Sequence, residues 1–206
     1  MMNDFVLPTN VYLDSNGVPL SSSNKQEWLK ARLTGVTATD VNKIISPTLK
    51  PSSQSVKLLE SKLNISEHVE EPHLNSYMIH GNEREPIIAD WAAGNFGMIP
   101  NSYLFYGDNV KHLATPDGLG EGFVGEIKTS MKPLKSILNY YMNQIQWQLN
   151  VMQVEKCLFI VEQHDNFNPK NIDYMWVERD EKRIKTILTQ VDIFIEQLSE
   201  KLEQNA

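Results

Sequence analysis

The chain has 206 residues, 41% of them hydrophobic, which is enough for one sizeable core, so a single domain is the expectation. Its only cysteine, Cys157, excludes an internal disulfide and a cysteine-built zinc or iron–sulfur site, so any metal must be held by oxygen or histidine. The net charge of −7 is unevenly spread: residues 25–62 carry seven Lys/Arg against three Asp/Glu, and residues 63–126 carry two against ten. Carboxylates are thus concentrated where they could hold cations, beside a basic segment that could face phosphates; a solvated acidic surface explains the charge alone equally well. No apolar run is long enough to span a membrane, and Met1-Met2-Asn3-Asp4 lacks the basic start and apolar stretch of a signal peptide. The expected location is a reducing cytoplasm.

In chain order, residues 1–24 read as loops or an arm, with Pro8, Asn10, Asp14, Gly17 and Ser21-Ser22-Ser23. Residues 25–62 are helical in pattern: Trp28, Leu29 and Leu33, then Val41, Ile44 and Ile45 with Thr37 or Thr39 as N-cap, then Val56, Leu58, Leu59 and Leu63 after Pro47 and Pro51. A helix is expected over 78–93, with a start or kink near Pro86. Short runs rich in β-branched and aromatic residues predict strands at 103–106, 110–114 and 123–127. A helix over 137–154 sets Leu138, Tyr141, Ile145, Leu149 and Met152 on one face. Strands at 157–162 and 174–177 flank a turn-rich piece with Asn166, Asn168 and Pro169, and a final helix from Glu181 repeats Ile184, Leu188, Val191, Ile195, Leu198 and Leu202. The order predicts a mixed α/β domain with an arm (1–24), a basic helical part (25–62), a core (76–178) and a C-terminal helix (181–206).

The chemistry is concentrated in the core. In a strand over 123–127, Glu126 and Lys128 project from one face while Ile127 faces the other. Asp117 reaches them from the preceding hairpin strand if Gly118-Leu119-Gly120-Glu121-Gly122 forms the turn. Two carboxylates converging from adjacent strands make a hard-oxygen site suited to Mg²⁺, and the Lys128 ammonium could position or deprotonate a water or stabilise charge on a phosphate.

Three motifs surround this pair: Thr115-Pro116-Asp117-Gly118 itself, Gly81-Asn82-Glu83-Arg84-Glu85-Pro86 upstream, and Tyr141-Met142-Asn143-Gln144-Ile145-Gln146-Trp147 downstream. With them, and with the segment from Arg32 to Asp40, residues 28–152 resemble the phage lambda exonuclease and YqaJ-type family of viral recombination nucleases. The resemblance implies a restriction-endonuclease-like PD-(D/E)XK core, a central mixed sheet flanked by helices. It implies a Mg²⁺-dependent enzyme, with Mn²⁺ able to substitute and one or two ions bound, that digests double-stranded DNA ends 5′-to-3′ to 5′-mononucleotides. It implies that Asp117, Glu126, Glu85 and the Ile127 carbonyl hold the metal, that Lys128 is catalytic with Gln144 orienting it or the water, and that Arg32 and Thr39 grip the DNA 5′-phosphate. It also implies a homotrimeric ring, a single-strand annealing partner protein and a bacterial host cell.

Other assignments stay open at this stage. Glu83 could replace Glu85. The family has an acidic residue where Gly107 stands here, and Asp108 could compensate by a one-residue shift; His112 could also approach the metal. Gln144 and Tyr141 could make structural hydrogen bonds only. His68, His73 and His80 lack the spacing of a zinc site, and Trp91 and Trp147 read as core. The rival functions are a restriction-type or Cas4-like endonuclease, the latter disfavoured by the single cysteine, and a catalytically inactive DNA-end-binding protein.

Overall fold

The computed structural model describes residues 7–64 and 74–204. The elements run α1 (Lys25–Thr34), β1 (Val36–Thr37), α2 (Ala38–Ile44), α3 (Gln54–Leu63), α4 (Ser76–Phe96), β2 (Ile99–Pro100), β3 (Phe105–Tyr106), β4 (His112–Ala114) and β5 (Gly118–Gly120). They continue with β6 (Phe123–Ser130), α5 (Leu134–Met152), β7 (Lys156–Asp165), β8 (Asn168–Glu178) and α6 (Glu181–Gln204). The main sheet has the order β2-β5-β6-β7-β8, parallel between β6 and β7 and antiparallel elsewhere. A parallel pair needs a crossover, and α5 supplies it.

The period of two along the strands decides what each face meets. Val124, Cys157, Phe159 and Val161 pack in the larger core with α2, α5 and α6, whereas Phe123, Ile127, Leu158 and Ile160 pack against Ile88, Ala89 and Ala92 of α4. The sheet is therefore covered on both faces, and the buried run from Cys157 to Val161 is unbroken, as befits a strand with a parallel neighbour. Glu126 and Lys128 share the parity of Val124, so they face α5. A small second sheet, β1-β4-β3, carries the segment that follows α1. Residues 7–24 are loops tied by isolated bridges to β3, Val11 to Phe105, and to the segment before it, Ser21 to Tyr103.

Several expected boundaries change for identifiable reasons. The glycine-rich run after Asp117 is not all turn: Gly118–Gly120 is strand β5, paired with β6, and only Glu121-Gly122 turns, with Gly122 at φ +74°. Gly118 and Gly125 are opposite one another, and a Cβ on either would lie 2.5 or 2.2 Å from Met98 Sδ, so this hairpin closes over Met98 only because both lack a side chain. Nor does α4 start at Pro86. It starts at Ser76, where the Asn75 side chain accepts from Met78 N–H (3.0 Å), and runs through Pro86. β7 and β8 extend to a turn at Asn166-Phe167, both at positive φ; Asn168 and Pro169 belong to β8 rather than to the turn. Thr37, not Thr39, caps α2, in a reciprocal box with Asp40. His68 and His73 lie outside the described residues.

Candidate active site

Register explains how Asp117 meets Glu126. Gly118 pairs with Gly125, so one further step of the antiparallel ladder sets Asp117 opposite Glu126. The backbone there is fixed: Asp117 N–H donates to Gly125 O (3.0 Å), Asn101 N–H donates to Asp117 O (3.0 Å), and Asn101 Nδ2 donates to Pro116 O (2.8 Å). Asp117 Oδ2 then accepts from Ile127 N–H at 2.6 Å. Glu126 is 1% exposed and accepts from Gln144 Nε2 on Oε1 and from Gln148 Nε2 on Oε2 (2.6 Å). Lys128 Nζ pairs with Glu126 Oε1 and donates to the Ile127 carbonyl (3.0 Å), with the Tyr141 ring 5.4 Å away.

One cavity of about 550 Å³ is lined by Glu85, Asp117, Glu126, Lys128, Gln144 and Gln148, and also by Arg32 and Thr39. The cavity thus gathers every residue expected at the site except Ile127, whose carbonyl accepts from Lys128 Nζ beside it. Glu83 is exposed and does not line the cavity, whereas Glu85 does. The Arg32 guanidinium lies 3.9 Å from the centroid of the Trp28 ring. Asp108 and His112 do not approach this place. They line another cavity, where His112 Nε2 is 2.8 Å from Asp192 Oδ1 and the ring packs tilted against Trp147, so neither a shifted third acidic ligand nor a histidine ligand is supplied from there. Trp147 is buried and donates to Leu113 O (2.9 Å), Trp91 packs on Phe96, and His80 on His164.

Three residues that no sequence motif marks shape this region. Gln148 holds Glu126, while Gln146, the second glutamine of the motif, turns away to Glu178 O and Asp180 N–H. Asn101 clamps the Asp117 loop. Buried Lys62, from α3, donates to Arg32 O (2.8 Å) and Gly35 O (2.8 Å) and pairs with Asp40 (3.0 Å), fixing the α1–α2 junction that carries Arg32 and Thr39. An i, i+4 pair of glutamines on an apolar helix was the one available signal, since a buried amide needs a partner.

The electrostatics favour a cation. Burial, then Glu126 and Glu85, pushes the Asp117 carboxyl well above the usual carboxylate range despite Lys128 nearby, and burial with Glu126 raises Glu85 as well. Burial alone would lower the Lys128 ammonium; Glu126 and Asp117 outweigh it and hold it above its ordinary value. Among the described residues, no three His, Cys, Asp or Glu side chains are gathered as a ready-made metal cage. The carboxylates lining the cavity, Glu85, Asp117 and Glu126, are nevertheless of the hard-oxygen kind that a divalent ion takes, and the Lys128 ammonium rests on the Glu126 carboxylate and the Ile127 carbonyl.

Residues 27–155 match the YqaJ-like viral recombinase domain. The chain belongs to the YqaJ-like viral recombinase family. Among solved structures, an alkaline exonuclease (LHK-Exo) from Laribacter hongkongensis is 24% identical with a TM-score of 0.66, over 86% of this chain and 94% of that one. LHK-Exo in complex with dAMP gives a TM-score of 0.65 at the same identity and coverage. A phage related exonuclease from Haemophilus somnus 129PT is 14% identical, with a TM-score of 0.64 over 84% and 96%. At these identities the likeness establishes the fold, the restriction-endonuclease-like core with its mixed sheet between helices. No curated protein sequence matches significantly.

Proposed function

We propose that this YqaJ-family protein is a Mg²⁺-dependent exonuclease that digests double-stranded DNA from its ends, 5′-to-3′, releasing 5′-mononucleotides. The observation that carries the reading is the single cavity in which the carboxylate–lysine cluster of α4, β6 and Asp117, just before β5, meets Arg32 and Thr39 of the basic segment. A phosphodiester hydrolase that works from an end needs both a hard-oxygen centre and a cationic grip on the terminal phosphate.

Glu85, Asp117, Glu126 and the Ile127 carbonyl would hold the ion, and Mn²⁺ would serve the same oxygens. Bound there, a divalent cation supplies polarisation of the scissile phosphate and acidification of a water. Lys128, held protonated by its carboxylate neighbours, is a hydrogen-bond donor for phosphate oxygen rather than a base. Gln144 orients Glu126. Arg32, its guanidinium plane set by Trp28, presents a rigid fork to the 5′-phosphate, with the Thr39 hydroxyl beside the same cavity. The dAMP complex of LHK-Exo supports a mononucleotide product class for this fold. Family membership extends the proposal to a homotrimeric ring and a single-strand annealing partner; a solution mass three times 23.6 kDa is the expected result.

The test is incubation with linear duplexes bearing 5′-phosphate or 5′-hydroxyl ends and with covalently closed circles, in MgCl₂ or EDTA. Mg²⁺-dependent loss of linear DNA, faster from 5′-phosphate ends, is expected. Rapid cutting of closed circles would instead establish an endonuclease and overturn the end-dependent reading.

A further inference from the structure

Glu126 is gripped at both oxygens by one helix, because Gln144 and Gln148 are one turn apart on α5 and both amides reach it. Both amides turn their nitrogens to the carboxylate, so the Gln148 carbonyl oxygen is turned elsewhere. That oxygen is buried and has no hydrogen-bond partner among the described residues, in a side chain 1% exposed that lines the cavity. The Thr115 hydroxyl, lining the same cavity, is also buried and unpartnered. Buried polar groups are rarely left bare, so a donor belongs beside Gln148. A water on a divalent cation is a pure donor, and Mg²⁺ keeps several such waters.

We propose that Gln148 is a positioning residue of the metal centre: its amide nitrogen fixes the Glu126 carboxylate, and its carbonyl oxygen accepts from a water of the ion's hydration shell. This rests on the reading of the site as a metal centre given above. Gln144 and Lys128 both reach Oε1, so without Gln148 the carboxylate could turn about that one oxygen; the Gln148 amide on Oε2 removes that freedom before the ion arrives. Gln148 touches neither scissile phosphate nor DNA in this assignment, so its loss acts through ion binding.

The test is Mn²⁺ binding by the whole protein without DNA, read from the electron paramagnetic resonance signal of free MnCl₂. Wild type, Gln148→Met, Gln148→Asn and Glu126→Gln are compared at a temperature where circular dichroism shows each one folded. Gln148→Met should raise the Mn²⁺ Kd roughly 10- to 100-fold, the usual effect of losing a partner of a metal ligand. In turnover at saturating Mn²⁺ it should recover most of its kcat with an unchanged KM for DNA. An unchanged Kd would overturn the proposal. If the Met variant does not fold, Gln148→Asn, which keeps an amide one methylene short of Glu126, decides in the same way. Glu126→Gln separates the two claims: weakened Mn²⁺ binding there with normal binding in both Gln148 variants refutes Gln148 alone, while wild-type binding by Glu126→Gln sinks the metal-centre reading and this inference with it.

Discussion

Lys62→Met isolates the buried charge that holds the cationic side of the cavity together. Lys62 is 5% exposed and Asp40 is 8% exposed. The ammonium serves Asp40 and two backbone carbonyls, Arg32 O and Gly35 O. Burial pulls the Lys62 ammonium down further than Asp40 lifts it, whereas for Asp40 burial alone would raise the carboxyl, but Lys62 and the Thr37 N–H and hydroxyl hold it below its ordinary value. Desolvation therefore offsets most of the attraction, and the cost appears when one partner is removed. Breaking a buried pair from one side costs about 3–5 kcal/mol. For a chain of this size each kcal/mol lowers Tm by about 2–4 °C, so thermal melts should show a drop of roughly 6–20 °C. The double variant Lys62→Met with Asp40→Asn should regain roughly 1–3 kcal/mol of that loss.

The sign of the pH dependence is specific to this arrangement. In the wild type the folded Asp40 carboxyl titrates below its unfolded value of about 3.9, so its stabilisation is present above that pH and lost as pH falls through the folded value. Without Lys62, burial dominates and raises the carboxyl, so the variant should be least destabilised near the acid end of the accessible range. A Lys62→Met protein within about 1 kcal/mol of wild type, below the range for a broken buried pair, would refute the reasoning.

Arg32→Ala should lower the preference for 5′-phosphate over 5′-hydroxyl ends by roughly 10- to 100-fold, the value of a charged hydrogen bond, and appear mainly in KM; an unchanged preference in paired digestions would remove Arg32 from the grip. Lys128→Ala should lower kcat by roughly 10²–10³ while leaving duplex binding in Ca²⁺ intact, and full turnover would contradict its role as donor. Asp117→Asn removes one of three crowded carboxylates yet leaves an oxygen to accept from Ile127 N–H; in EDTA its melting temperature should match or exceed wild type although activity is lost, and a large fall in stability would argue against the crowding. Trp147→Phe leaves the buried Leu113 carbonyl without its side-chain donor and should cost about 1–3 kcal/mol in urea unfolding.

The legible parts of the sequence were those with a strong period or a fixed register. The alternation around Glu126, Ile127 and Lys128 and the distance back to Asp117 are sufficient to foresee two carboxylates meeting across a hairpin, although a run of glycines reads as turn where Gly118–Gly120 forms β5. The apolar stripe from Leu138 to Met152 marked α5. β1, β2 and β5 have two or three residues each, too few for any period, and exist only because distant strands pair with them. Lys62 was illegible for a different reason: lysines are almost always solvated, and nothing local shows that Asp40 and two helix-end carbonyls await this one. Of three glutamines at 144, 146 and 148, the family motif marks the first two. Helix geometry turns Gln146 towards β8 and Gln148 towards Glu126, a choice visible only once α5 is laid on the sheet.

The proposed hydrolysis of DNA is placed at the Asp117–Glu126 centre. Its most direct test is the release of acid-soluble mononucleotides from a linear 5′-phosphorylated duplex in MgCl₂, by wild type and Glu126→Gln purified in parallel. Steady release by the wild type, none in EDTA, and a loss of nearly all release in Glu126→Gln are expected. Equal release by the two proteins would contradict it.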